Sequence, residues 1–198
     1  MFENLINDLH VPLWQWIVSQ ALGFLIVFTL FYGFQQKKKT KLLWAFTVTN
    51  ILGFFAMMLL ENYGLAATSA VNIAKNLTFI WKNTRKQETP VFWSYFILIF
   101  FLAAMIVSVS LFWVVWTDWP ILFFSSVSTF GSWWKSKKAI HIMKGAAVGF
   151  QTFFIINAVI FFNIIGIING IIVLGSILLF YIKFFKTKKK PQEAAVEA

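Results

Sequence analysis

The chain has 198 residues, of which 60% are hydrophobic and only 12% are charged, and its formal net charge at pH 7 is +10. A soluble domain carries about a quarter charged residues, so this composition argues against a water-soluble protein. The positive charge does not indicate a nucleic-acid-binding protein, because long apolar runs separate the basic clusters and prevent a single docking surface.

Seven apolar runs predict seven transmembrane helices, and therefore an all-α membrane protein, because about 20 apolar residues span a bilayer as a helix. In chain order the runs are Leu13–Phe34, Leu42–Leu60, Gly64–Trp81, Val91–Trp116, Pro120–Trp134, Ala139–Ile160 and Gly166–Phe184. The third run is polar and the fifth is short, which makes these two the weakest predictions of a span.

The basic residues predict the orientation of these spans. Of the 17 lysines and arginines, 16 fall in clusters at residues 37–41, 82–86, 135–144 and 183–190, and Lys75 is the exception. The clusters follow every second span, whereas the N-terminal segment and the other connections have no basic residue and hold Glu3, Asp8, Glu61 and Asp118. This positive-inside pattern predicts a multi-pass protein of the plasma (inner) membrane, with an outside N-terminus and a cytoplasmic C-terminus.

The first three and the last three spans share a plan, with a lysine-rich loop after the first helix and a short turn before the third. Gly64 and Gly166 occupy corresponding positions after that turn. The predicted organisation therefore places two parallel three-helix bundles on either side of a linker helix. Its segments are residues 1–12 (outside), 13–86 (first unit), 87–118 (linker), 119–186 (second unit) and 187–198 (disordered cytoplasmic tail).

Three stretches carry a resemblance to the YgjV-type family of bacterial inner-membrane proteins: ATSAVNIAKNLTFIWKNTR (67–85), WPILFFSSVSTFGSWWKSKKAIHIMKGAAVGF (119–150) and NIIGIINGII (163–172). Asn72 and Lys75 match that family's third helix, although arginine is common at the second position. The resemblance implies a 3+1+3 helix layout similar to that of the SWEET and PnuC transporters, but no particular substrate. The chain lacks a Pro-Gln pair inside any span, and therefore lacks the hinge of PQ-loop proteins.

The third span carries a one-sided polar stripe. At 100° per residue, five polar residues share an arc of about 120° on this helix: Thr68, Ser69, Asn72, Lys75 and Asn76. Such a stripe faces the bundle or a watery cavity and not lipid. Lys75 lies roughly 10 Å inside the cytoplasmic end, so it has two interpretations. It snorkels or pairs structurally, or it presents a cation to a cavity.

Other polar residues allow the same two interpretations. The fifth span places Ser125, Ser128, Thr129 and Ser132 on one face, for helix packing or for a lining. Uncharged polar residues also lie within the other apolar runs: Gln20, Thr47, Asn50, Gln151, Asn157 and Asn169. The glycine pairs at 145/149 and 166/170 predict close helix packing inside the bundle, with a homo-oligomer face as the alternative.

The sequence does not predict an enzyme. No span contains Asp or Glu, the chain has no cysteine, and no cluster of His, Asp and Glu has the spacing of a metal site. We therefore expect no catalytic residue, no metal and no cofactor. The missing intramembrane carboxylate also argues against coupling to protons or sodium.

The leading hypothesis is a facilitative, ion-uncoupled transporter of a small polar metabolite, working by alternating access between the two bundles. Its predicted substrate-binding residues are Asn72, Lys75, Asn76, Thr68, Ser128 and Asn50, with tryptophans closing the ends of the path. The alternative is a membrane interaction or scaffold protein without a transport cycle. The predicted partners are the substrate, the bilayer and anionic lipids at the cytoplasmic lysines, but no nucleic acid.

Overall fold

The computed structural model describes residues 11–85, 90–112, 116–134, 136, 138–160 and 163–196, with side chains up to Phe184. Over these residues the chain forms seven α-helices and no strand. They are α1 (Leu13–Gln35), α2 (Lys39–Leu59), α3 (Tyr63–Thr84), α4 (Val91–Phe112), α5 (Asp118–Trp133), α6 (Ala139–Ile160) and α7 (Ile164–Val196). The predicted seven-helix, all-α fold is confirmed.

The outer surface of the helices is apolar, as a bilayer requires. Five of the described helices are long and apolar enough to cross a membrane: α1, α2, α4, α6 and α7. The other two correspond to the weakest spans of the sequence, since α3 is polar and α5 has only 16 residues. On α4, Val91, Phe92 and Leu111 are each more than 70% exposed, a pattern that a soluble protein would not tolerate. The chain is a multi-pass membrane protein.

The helices form a ring in which α4 stands outside. In each predicted unit the second helix packs between the first and the third, so α2 contacts α1 and α3, and α6 contacts α5 and α7. The pair α1–α7 closes one side of the ring. On the other side α3 and α5 touch only slightly, and α4 packs against both of them. Six helices therefore surround one interior.

Corresponding asparagines begin the third helix of each unit. Asn62 Oδ1 accepts a hydrogen bond from Leu65 N (3.1 Å), and Asn163 Oδ1 accepts one from Gly166 N (2.9 Å). Each side chain pairs a backbone N–H that the first turn of a helix leaves without a partner. Before Asn62 the chain turns sharply at Glu61, whose φ of 56° lies in the left-handed region.

The two ends of the ring have different chemistry. We call the end where α1, α3 and α5 finish the basic end, because the lysine clusters lie there, and the other the opposite end. A buried apolar cluster fills the interior toward the basic end. Its members are Ile26, Leu30, Phe34, Leu42, Leu43, Phe79, Ile80, Ile140, Met143, Val173 and Ile177.

Three of the four predicted packing glycines do lie in close contacts. A Cβ on Gly149 would overlap the Phe124 ring, and one on Gly170 would overlap Ile155. Gly166 lies tightly against Asn163 and Ala158. Gly145 differs from the prediction, because it faces outward with no atom within 4 Å of the position of a Cβ.

The C-terminal segment also differs from its prediction. α7 continues to Val196, so residues 187–196 are helical where the sequence predicted disorder. A helix that is already formed extends without a new nucleation step, and Lys, Glu and Ala favour its extension. Several predictions fall outside the described residues: those for segment 1–10, for Lys86, Lys135 and Lys137, and for the end of the linker at 113–115.

Candidate functional site

A cavity of about 180 Å³ lies inside the ring. Its described lining comes from α1, α2, α3, α5, α6 and α7, and none of it from α4. Both three-helix units therefore contribute walls to the same space. The apolar part of the wall includes the rings of Phe46, Phe124, Phe150 and Phe154.

The structure places all six predicted site residues on the wall of this cavity: Thr68, Asn72, Lys75 and Asn76 from α3, Asn50 from α2, and Ser128 from α5. Ser69, the fifth member of the α3 stripe, lies there too. Their role in binding a substrate stays a prediction.

Lys75 does not snorkel toward the basic end. Its Nζ donates hydrogen bonds to Asn72 Oδ1 (2.6 Å) and to Thr129 Oγ1 (3.2 Å). Side chains on a helix tilt toward its N-terminus, which for α3 is the opposite end, and Asn72 lies one turn in that direction. Lys75 is only 4% exposed, and both of its acceptors are neutral. It is therefore a buried amine without a charged partner among the described residues.

The polar residues on one face of α5, predicted as Ser125, Ser128, Thr129 and Ser132, make different contacts. Ser125 and Ser128 line the cavity, whereas Thr129 is fully buried and bonded to Lys75. Thr129 also donates to Ser125 O (2.8 Å), which fixes the orientation of its hydroxyl. Because Lys75 belongs to the first unit and Thr129 to the second, their bond bridges the two units where α3 and α5 hardly touch.

The sequence analysis left Thr49, Gln151 and Asn169 out of the site, and all three line the cavity. Each has a buried oxygen with no hydrogen-bond partner: Thr49 Oγ1, Gln151 Oε1 and Asn169 Oδ1. Most buried polar atoms in proteins are paired. Their signal in the sequence was a polar residue within an apolar run, which also fits an ordinary helix–helix contact.

Gln20 and Asn157 make such helix–helix contacts. Gln20 Oε1 accepts a hydrogen bond from Ile165 N (3.2 Å), which ties α1 to α7. Asn157 Nδ2 donates to Thr117 Oγ1 (2.9 Å), which ties α6 to the start of α5. Thr47 donates to Leu43 O in its own helix. None of these three residues lies on the cavity wall.

On α2 and α3 the cavity lies toward the opposite end, whereas on α1 its lining runs from Ile26 to Phe34 and reaches the last turn at the basic end. On α3 its lining runs from Leu65 to Asn76, which leaves two helical residues uncovered at the opposite end and eight at the basic end. On α2 the lining runs from Phe46 to Met57, which leaves seven residues at the basic end. The buried apolar cluster occupies that basic half.

Two lysines close the basic end by crossing from one unit to the other. Lys144, at 0% exposure, donates from α6 to Phe34 O (2.6 Å) and Gln36 O (3.2 Å) at the end of α1. Lys39 donates from the start of α2 to Trp134 O (2.7 Å) at the end of α5. The last carbonyls of a helix have no partner within it, and a cation is favourable there.

These crossed lysine caps, formed by Lys39 and Lys144, are reciprocal. In each unit the second helix supplies the lysine, and the first helix of the other unit supplies the carbonyl. The sequence analysis assigned Lys39 to the first loop and Lys144 to the basic cluster at the start of the sixth span. Nothing in the sequence separates a lysine that reaches a backbone carbonyl from one that reaches water.

Tryptophans do not close this cavity. Trp14, Trp44, Trp81 and Trp93 are each at least half exposed on the outside of the ring. No described tryptophan lines the cavity, so the prediction that tryptophans seal the path is wrong for the part of the chain described here. An indole at the membrane–water interface has its own stabilisation, because its ring is apolar and its N–H is polar.

The described residues contain no group of three or more His, Asp or Glu that could hold a metal ion. The lining residues also include no carboxylate, and Lys75 is the charged group among them. What this wall offers chemically is one cation, several amides and hydroxyls, and aromatic faces.

The fold and the site together define a multi-pass, all-α membrane protein built around a polar cavity. Comparison of the chain with family models, curated proteins and solved structures finds no match. The assignment to the YgjV-type family and the likeness to SWEET and PnuC proteins stay predictions.

Proposed function

We propose that this protein is a facilitative, ion-uncoupled transporter of a small polar metabolite. It exchanges access to its cavity between two faces of the plasma membrane by moving the two three-helix units against each other. The observation that carries this proposal is one cavity with walls from both units and with polar groups of both units on those walls. An alternating-access transporter places its site between its repeats, near the middle of the membrane.

The interface between the units is small on the α3–α5 side, where it supports relative movement, whereas α1 and α7 pack together on the other side. On the α3–α5 side, the units touch slightly and share the Lys75–Thr129 hydrogen bond. At the basic end they are joined by the crossed lysine caps, three hydrogen bonds in all. A net hydrogen bond contributes about 1 kcal/mol, and bonds to charged groups somewhat more. A small set of such bonds can break and re-form within a transport cycle.

Family membership would add to this proposal. The 3+1+3 layout agrees with α4 standing outside the ring and with the paired asparagine caps at the start of α3 and α7. We propose that the chain belongs to the YgjV-type family and that its N-terminus is outside and its C-terminus cytoplasmic. We also propose that it is not an enzyme.

Cysteine accessibility tests the transport cycle directly, because the natural chain has no cysteine. We would introduce Ser128→Cys on the cavity wall and label it with a membrane-impermeant thiol reagent from either face of oriented vesicles. A transporter is labelled from both faces, because both states are visited. Labelling from one face alone contradicts alternating access and favours the scaffold function.

Two control variants calibrate the faces. Lys37→Cys lies at the exposed basic end, and Tyr63→Cys lies at the opposite end, where Tyr63 is 53% exposed. We expect Lys37→Cys to react from the cytoplasmic face alone and Tyr63→Cys from the outer face alone. The reverse result would overturn the proposed orientation without affecting the test of alternating access.

The scaffold alternative keeps one specific observation in its favour. Lys37, Lys38 and Lys41 are exposed at the basic end, where they suit anionic lipids or an acidic partner. A scaffold would depend on these lysines and tolerate Lys75→Met. A transporter would show the opposite dependence.

A further inference from the structure

The most unusual group of the cavity is the ammonium of Lys75. It lies about 18 Å from the start of α3 and about 14 Å from its end, at 1.5 Å per residue, and is therefore near mid-depth. Its two hydrogen-bond acceptors are an amide and a hydroxyl, and no lining residue is acidic. A buried ion without a counter-charge is strongly unfavourable, so a negatively charged ligand group would stabilise the ammonium form of Lys75 over the neutral amine.

One donor of this ammonium remains for a ligand. An ammonium group has three N–H donors, and Lys75 uses two of them for Asn72 and Thr129. No third acceptor contacts Nζ among the described residues. Because Lys75 is the one charged group of the described wall, the site balances a single negative charge and not two.

The other lining residues indicate the chemistry of the rest of the ligand. Gln151 and Asn169 are 5% and 6% exposed, and each has an unpartnered amide oxygen in the lining. A hydroxyl or N–H group on an uncharged part of the ligand would donate hydrogen bonds to these oxygens. The rings of Phe124 and Phe150 also line the cavity and provide apolar surface for a flat or aliphatic body.

The cavity volume limits the size of this ligand. A cavity of about 150 Å³ in another protein accepts benzene, which has six non-hydrogen atoms. The present cavity of about 180 Å³ is slightly larger. This volume suits a compound of about six to nine non-hydrogen atoms, such as a ring with one carboxylate.

We propose that the cavity binds a small organic acid with one carboxylate, which pairs with Lys75 while its uncharged part lies between the aromatic rings and the amides of Gln151 and Asn169. This inference rests on the proposed function only in taking the transport site and this binding site to be the same cavity. Binding itself can be tested without transport.

The test is thermal unfolding of the full chain in detergent, with benzoate, benzamide and phenyl phosphate as probes at equal concentration. Benzoate and benzamide share shape and size and differ in charge. We expect benzoate to raise Tm and to bind about tenfold or more tightly than benzamide, since a bond to a charged group is the stronger one. Equal effects of the two, no benzoate effect, or a larger effect of the doubly charged phenyl phosphate would overturn the proposal.

Two variants assign the effect to Lys75. Lys75→Gln removes the charge and should abolish the preference for benzoate over benzamide, whereas Lys75→Arg should keep it. A preference that survives in Lys75→Gln would overturn the role of Lys75. If Lys75→Gln does not fold, the comparison of benzoate with benzamide on the natural chain still decides the matter.

The two proposals fail separately. Labelling of Ser128→Cys from both faces without any benzoate preference would leave the transporter standing and reject the substrate class. A benzoate preference with labelling from one face alone would leave a carboxylate-binding membrane protein without a transport cycle.

Discussion

Gly149 and Gly145 lie one turn apart on α6 and should respond oppositely to alanine. A Cβ on Gly149 would lie much closer to the Phe124 ring than the 3.4 Å at which ordinary van der Waals contact begins, whereas one on Gly145 meets no atom within 4 Å. The Phe124 ring stacks on Phe153 with centroids 6.0 Å apart, so any movement away from α6 would disturb that contact. Overpacking of this kind costs about 1–3 kcal/mol.

The higher helix propensity of alanine stabilises both variants and so opposes the cost of overpacking. Alanine is favoured over glycine inside a helix by about 1 kcal/mol, and this gain applies to both positions. Gly145→Ala should therefore stabilise the protein by about 1 kcal/mol. Gly149→Ala should be less stable than Gly145→Ala by the cost of the overlap alone.

Thermal unfolding in detergent measures the difference between the two variants. For a chain of this size, 1 kcal/mol shifts Tm by about 2–4 °C, so Gly149→Ala should unfold about 2–12 °C below Gly145→Ala. Because Phe124 lines the cavity, Gly149→Ala should also lower the affinity for any ligand that binds there. Equal Tm values for the two variants would refute the close packing of α6 on α5.

Three further substitutions test two contacts between helices and one helix cap by the same measurement. Lys144→Met removes both bonds to the end of α1 and should cost about 1–3 kcal/mol, whereas Lys38→Met, at an exposed position, should change stability by less than about 0.5 kcal/mol. Asn62→Ala removes the cap of α3 and should cost about 1 kcal/mol; an unchanged Tm would show that the cap contributes nothing. Trp133→Phe loses the indole bonds to Ser94 O and Oγ (2.9 and 2.8 Å), and should cost about 1 kcal/mol. Trp93→Phe, on an exposed residue, is its control, and equal losses would contradict the α4–α5 contact.

The helices were predictable because a bilayer requires long apolar runs, and the bounds of α6 were predicted as the structure has them. The order of helices in the ring was not predictable. In α4, lipid-facing and helix-facing residues are equally apolar, so no amphipathic pattern indicates which side packs. The helical continuation of α7 was also missed, because a charged segment outside the membrane has no apolar pattern.

The residues of α3 that line the cavity were predictable because they are polar residues within an apolar segment. Thr68, Asn72 and Lys75 stand out against an apolar background, and their spacing fixes their common face. Thr129 was found on the α5 stripe, but its bond to Lys75 depends on how two helices far apart in sequence meet. The roles of Gln151 and Asn169 also depend on how helices far apart in sequence meet, so the sequence did not predict them.

The crossed lysine caps have a genetic consequence. Each lysine donates to a main-chain carbonyl, at Phe34 and Gln36 for Lys144 and at Trp134 for Lys39. Every amino acid carries such a carbonyl, so no substitution at the accepting position deletes the partner, and none can compensate for loss of the lysine. A search for suppressors of Lys144→Met should therefore find none at positions 34 or 36. These hydrogen bonds therefore restrict variation at the two lysines and not at the accepting side chains, of which Phe34 is restricted separately by its place in the buried apolar cluster.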